Sequence, residues 1–320
     1  MHLRSPGVQV VTVLTVTLNA AIDKRYDVAG ITIGAVQRVA TVTASAGGKG
    51  LNVSRGAQLC GQHIVATGFV GGFAGQFVTS QLATYGMQDE FVRVAGETRT
   101  CINIIDANGT STEFLEPGVT VTATDLAALT ARFSDLLPGV DVVTLSGSVP
   151  SGCPEDVYAP LIRAAIGAGR PVILDTSGAL LRAALVAAPT VVKPNREELA
   201  ALIGADLSDL ASLIEAARSL CSQGPKWVVV SLGAHGALAV SLEKTVEVSA
   251  PRVVAVNPVG CGDVLVGGLA TGLAAQLDVD AALPLAVRVS AAAAAHPETG
   301  RFDPAYAKTL EVTTTTILGK

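Results

Sequence analysis

Apolar positions along this chain follow two rhythms. Short runs rich in β-branched residues, Val10 to Leu18, Ile64 to Val70, Val140 to Leu145, Val172 to Asp175, Val191 to Val192 and Trp227 to Leu232, read as buried strands. Between them lie segments with a helical repeat: one from about Gly50 to Cys60, one ending near Gly86, then about 123–137, 154–169 and 178–187. Repeated strand–helix units predict an α/β fold with a mostly parallel central sheet and helices on both faces. An antiparallel pair, Leu238–Val240 with Thr245–Val248, and an Ala-rich helix from about Asp280 to Ala295 complete the pattern.

Two regions break the rhythm. Tyr26 to Ala44 alternates weakly through Val28, Ile31, Ile33, Val36, Val39 and Val42, which predicts two or three short strands. Arg99–Asp106 and Thr112–Leu115 flank Asn108-Gly109, a strong hairpin signal. Together they are expected to form a separate small sheet.

Glycine-rich turns lead into two of the helices. In Asn257-Pro258-Val259-Gly260-Cys261-Gly262-Asp263, after a strand-like run from Val253 to Val256, the amides of Gly260, Cys261 and Gly262 would stand at a helix N-terminus. That position suits an anion. Asp263 in the first turn could take a proton from an attacking hydroxyl, which is what phosphoryl transfer to an alcohol requires. The plainer alternative is a turn whose aspartate only answers the helix dipole. The second start, Gly47-Gly48-Lys49-Gly50-Leu51-Asn52, puts Lys49 and Asn52 three apart on one helical face. It is not a Walker A loop, since GxxxxGK[ST] is absent from the chain. In Lys193-Pro194-Asn195-Arg196-Glu197-Glu198, Asn195 and Glu198 fit a capping box, or else a site that places hydrated Mg2+ beside phosphates.

Composition narrows the function. Of 320 residues, 49% are hydrophobic and 15% charged, and the net charge is −5, which disfavours a nucleic-acid or membrane-surface binder. The five cysteines include no CxxC pair and read as free thiols. Met1 to Val10 has no signal-peptide layout, and the apolar runs are short or broken by Pro284 and Arg288, so a soluble cytoplasmic protein is expected. No strand precedes GxGxxG with a following acid, which argues against a nicotinamide oxidoreductase.

In this order, these motifs make the chain resemble the PfkB-type, ribokinase-like sugar kinases, in particular the branch of 1-phosphofructokinase and tagatose-6-phosphate kinase. The resemblance implies one kinase domain over residues 1–320, with a small β-sheet lid from about 25–44 and 97–116. It also implies ATP-dependent phosphorylation of a sugar hydroxyl, with Asp263 as base and Gly260, Cys261 and Gly262 as anion hole. Asp23, Gly48 and Asn52 would bind sugar hydroxyls, with Lys49 and Ser148 near the sugar or its phosphate. Lys193, Asn195 and Glu198 would serve the ATP phosphates and Mg2+, while Ser231, Gly233 and Gly236 line the nucleotide. Arg99 under the lid selects a phosphorylated hexose, because a guanidinium fits a phosphate. A kinase for a neutral sugar or nucleoside, and a non-catalytic sugar-phosphate sensor, stay open at this point. The lid's exposed edges predict a homodimer.

Overall fold

The structure, a computed structural model, describes residues 11–317. Val10, the expected start of the first strand, and the leader reading of Met1–Val10 fall outside the described residues. The first half contains β1 (Thr12–Thr17), β2 (Ala21–Asp27), β3 (Thr41–Gly47), α1 (Lys49–Leu59), β4 (His63–Val70), α2 (Gly72–Thr84), β5 (Gln88–Asp89), β6 (Val92–Arg93), β7 (Arg99–Ile105), β8 (Ser111–Leu115), α3 (Ala123–Leu136) and β9 (Val142–Ser146). There follow α4 (Tyr158–Gly167), β10 (Val172–Asp175), α5 (Gly178–Ala184), β11 (Val191–Val192), α6 (Arg196–Ile203), α7 (Leu210–Cys221), β12 (Trp227–Ser231), β13 (Ala237–Val240), β14 (Thr245–Ser249), α8 (Cys261–Ala274), α9 (Val279–Ala294), α10 (Pro304–Thr309) and β15 (Thr313–Ile317).

The large sheet runs β15-β14-β13-β12-β11-β10-β9-β1-β4-β5, with β6 also on β4. It is parallel from β12 through β5, and β13, β14 and β15 add antiparallel strands at one side. Alternate residues along each strand feed opposite faces. Leu14, Val16, Val143 and Val228 join one core with Phe133, Ile162 and Leu213 of the α3, α4 and α7 side. Val13, Val142, Val229 and Trp227 join the other with Leu51, Leu265 and Leu269 of α1 and α8. This is why the strands read as unbroken apolar runs: both faces are covered by helices. Trp227, 2% exposed, donates its indole N–H to Asp278 Oδ1 at 3.1 Å, at the start of α9.

Small residues bring α8 close to its neighbours. A Cβ on Gly268 would stand 2.6 Å from Ala286 Cα on α9, and one on Gly267 would stand 2.8 Å from Ala57 N on α1. The second sheet, β3-β2-β7-β8, pairs β2 with β7 in parallel and the outer strands antiparallel. Its turn at Asn108-Gly109 closes the β7–β8 hairpin that the sequence predicts.

Two expectations need correction. Val253–Val256 is not a strand; Val254 is 84% exposed, and the Val256 N–H donates to Ala294 O, at the end of α9, at 2.7 Å rather than to a strand. Residues 28–40 form no strand either. The β2–β3 pair is built from 21–27 and 41–47, and Ile33 and Val36 of the intervening loop are exposed. The Ala-rich helix expected from about Asp280 to Ala295 is α9, which continues through Pro284. The sequence reading also passed over α7 and β15. No helix among the described residues is long and apolar enough to cross a membrane.

Candidate active site

A cleft of about 1720 Å³ opens between the strand ends of the large sheet and the small sheet. Each residue nominated from the sequence lines it: Asp23, Gly48, Lys49, Asn52, Arg99, Ser148, Lys193, Asn195, Glu198, Ser231, Gly233, Gly236, Gly260, Cys261, Gly262 and Asp263. The parallel topology explains the gathering. Loops that follow parallel strands emerge at one edge, where α/β folds hold ligands.

The glycine turn caps α8. Gly260 is the N-cap at φ +81°, and a Cβ there would stand 2.8 Å from Thr299 Cγ2, so the position needs glycine. Cys261 N–H reaches Pro258 O only at 3.4 Å, and Gly262, one residue further on, sits where a helix supplies no acceptor. Asp263 lies in the first turn, 6% exposed, and its Oδ2 accepts from Asn52 Nδ2 at 2.7 Å. Burial, reinforced by the Asp175 charge, pushes the Asp263 carboxyl up to about 7; Lys49, the Asn52 hydrogen bond and Lys193 oppose the shift.

Asp175, at the end of β10, is fully buried, and neither carboxylate oxygen has a hydrogen-bond partner among the described residues. It forms ion pairs with Lys193 Nζ at 3.3 Å and Lys49 Nζ at 3.5 Å. The Asp175 charge raises the Lys49 ammonium above its ordinary range against the effect of burial. Lys49 and Asn52 thus start on the same helix but serve different carboxylates.

Asp23 sits on β2, where burial raises its carboxyl and the Arg55 charge opposes the rise. Gly47 is glycine for its sake, since a Cβ there would overlap the Asp23 carboxylate. Arg99 starts β7 and donates to Asn19 O at 3.1 Å and Glu116 O at 3.2 Å, which pins it between the large sheet and the small one. Ser148 Oγ accepts from Asn19 Nδ2 at 3.3 Å. The Asn195–Glu198 capping box is present: Asn195 Oδ1 accepts from Glu198 N–H at 2.7 Å, and Glu198 Oε2 accepts from Asn195 N–H at 2.9 Å. A β-bridge joins Asn195 to Ser231. Gly233 and Gly236 shape the turn after β12, with Gly236 N–H donating to Gly233 O at 3.1 Å. The Cys261 thiol is pushed up to about 11, chiefly by burial, so it stays protonated at neutral pH and makes a poor nucleophile.

The chain matches the profile of the pfkB family carbohydrate kinases over residues 16–305. It belongs to that family. Among solved structures, a candidate phosphofructokinase from Staphylococcus aureus is 30% identical, with a TM-score of 0.82, over 96% of this chain and 100% of that one. Phosphofructokinase-2 from Escherichia coli, solved in complex with potassium, is 28% identical, with a TM-score of 0.86, over 94% and 98% of the two chains. The same enzyme has been solved in complex with fructose-6-phosphate and in a tetrameric inhibited form. A candidate 1-phosphofructokinase from Thermotoga maritima is 28% identical, with a TM-score of 0.79, over 96% and 99%. The branch suspected from the motifs is the one these neighbours represent, and the chain is an ATP-dependent sugar kinase.

Sequence reasoning missed residues that this pfkB kinase brings into the site. Asp175 is one of them, and an acid ending a buried strand on the ligand edge is itself a signal. Arg55 stands three residues after Asn52 on α1, on the same face, and is 5% exposed. Asn19 joins Ser148 to the small sheet through Pro117 O and Arg99.

Proposed function

We propose that this kinase transfers the γ-phosphoryl group of ATP to a hexose that already carries a phosphate: fructose 1-phosphate, tagatose 6-phosphate or fructose 6-phosphate. One domain spanning the chain would perform the reaction, with the four-stranded sheet as lid. The carrying observation is the buried Asp263 carboxylate on the first turn of α8, beside the amides of Gly260, Cys261 and Gly262. Asp263 accepts the proton of the attacking hydroxyl, and the amides meet the charge on the phosphoryl group in transfer. Asp23, Gly48 and Asn52 hold sugar hydroxyls. Lys193, Asn195, Ser231, Gly233 and Gly236 line the nucleotide.

Mg2+ would be held beside Asn195 and Glu198, where it neutralises charge on the ATP phosphates. Among the described residues there is no group of three or more His, Cys, Asp or Glu side chains that could hold a metal. One carboxylate without a cage suits Mg2+, which keeps several of its waters and binds through phosphates. Glu198 gives Oε2 to the helix cap, so the structural and metal-binding readings of this pair are compatible.

Arg99 favours a phosphorylated acceptor, as does the likeness to the E. coli enzyme solved with fructose-6-phosphate. A coupled ADP-release assay over neutral sugars, nucleosides and sugar phosphates tests the reading. Turnover only with phosphohexoses supports it, and equal turnover with a neutral sugar or nucleoside replaces it. Arg99→Ala is expected to raise KM for the phosphohexose by about 2 kcal/mol or more; an unchanged KM points to a neutral acceptor. We also propose a homodimer through the lid, whose face away from the cleft exposes Val42 and Phe114.

A further inference from the structure

We propose that Arg55 is a positioning residue that determines which end of the Asn52 side-chain amide faces Asp263. The inference rests on Asp263 as the base.

Arg55 lies one helical turn after Asn52 on α1 and is buried beneath the cleft. Its Nη1 donates to Ala46 O at 2.5 Å, its Nη2 donates to Asn52 Oδ1, and its Nε has no partner among the described residues. A guanidinium has only donors, whereas an asparagine amide has one accepting end and one donating end. With Arg55 holding Oδ1, the Nδ2 end must turn to Asp263 Oδ2, where it stands at 2.7 Å. The flipped amide would set two donors against each other at Arg55 and two acceptors against each other at Asp263.

The surroundings hold the amide in this slot. Gly300, at φ +71°, packs on it so closely that a Cβ would stand 3.0 Å from Asn52 Oδ1, and a Cβ on Gly260 would stand 3.6 Å from Nδ2. Asn257 Nδ2 ties down the adjoining loop by donating to Pro297 O at 3.1 Å and Thr299 Oγ1 at 3.2 Å. A buried cation is costly unless its donors are used. Arg55 uses two of its groups on a backbone carbonyl and on the one side chain that touches the base. Burial lowers the affinity of Arg55 for its proton, and Asp23 is the first charge that opposes this; Tyr85, Arg301 and Asp263 also face it. Asp263 in turn faces Asp175, Lys49 and Lys193. A donor on the ionised carboxylate favours the form that acts as base.

The test uses the full-length kinase with Arg55→Met, Arg55→Lys, Asn52→Ala and the Arg55→Met/Asn52→Ala double variant, each carried through a kcat–pH profile. Arg55→Met is expected to lower kcat about tenfold or more while KM for ATP stays within about twofold. The acid limb of its profile is expected to move up by roughly one pH unit, and Arg55→Lys to fall between it and the wild type. The double variant is expected to lose no more than Asn52→Ala alone, because Arg55 acts through Asn52. A lowered melting temperature with an unmoved acid limb, or losses that add in the double variant, would overturn the proposal. If Arg55→Met does not fold, Arg55→Lys and Asn52→Ala decide, and an unmoved limb in Asn52→Ala overturns it. Asp263→Asn separates the two assignments. Retained turnover there removes the base itself, whereas lost turnover there with an unmoved limb in the other variants removes only Arg55.

Discussion

Burial and the Asp175 charge hold the Asp263 carboxyl at about 7, so a base at this position is only part-ionised at neutral pH. Turnover at low substrate is therefore expected to rise with pH through about 7 and to fall on the acid side, readable as the acid limb of a kcat/KM–pH profile. Asp263→Asn is expected to keep ATP binding and lose about a thousandfold in kcat, measured by steady-state ADP release and calorimetric titration of ATP. The same shift acts on stability with a definite sign. The folded chain keeps this proton to about 7 and the unfolded chain to about 3.8, so stability gained at low pH is lost as pH rises between them. Asp263→Asn should accordingly melt higher than wild type at pH 8, with the gap closing near pH 4, as followed by scanning calorimetry. The sequence announced Asp263, because a glycine turn before an apolar helix is a local signal. It could not announce that Asn52, 211 residues away, donates to Asp263, nor that Lys49 and Lys193 meet at Asp175. Those contacts exist only once β1, β10, β11 and α8 share an edge.

The placement of the glycine turn before α8 depends on how closely α8 lies against α1 and α9. Gly268→Ala would press a methyl group on Ala286, and is expected to cost about 1–3 kcal/mol of stability and to lower kcat by shifting the turn. Chemical denaturation and steady-state kinetics on one preparation check both. Asn195→Ala removes the α6 cap and is expected to cost about 1 kcal/mol. Elements were legible where periodicity was strong, as in β10, β11 and the β7–β8 hairpin. Helix α7 was legible as well, since Leu213, Ala216, Ala217 and Leu220 have helical spacing and are buried, but the reading passed over it. Strand β15 was not. Its TTTTI sequence has no apolar alternation and is held by backbone pairing to β14. Val253–Val256 is the converse, an apolar run whose backbone turns to the end of α9 instead of to a strand.

The molecule divides its labour between a large sheet covered on both faces and a small sheet that leaves apolar side chains outside. Ile33 at 98% exposure, Val36 at 88% and Phe114 at 58% all belong to the small sheet or its connecting loop. If a second copy covers them, Phe114→Glu is expected to convert a dimer to a monomer, as read by light scattering at working concentration; an unchanged mass rejects the lid interface. The chain's one tryptophan adds an optical consequence. Trp227 is enclosed in the large sheet, away from both the cleft and the lid. Its intrinsic fluorescence should therefore redden when the large sheet denatures and stay silent if the small sheet moves or a dimer separates, giving a built-in reporter that tells unfolding apart from dissociation.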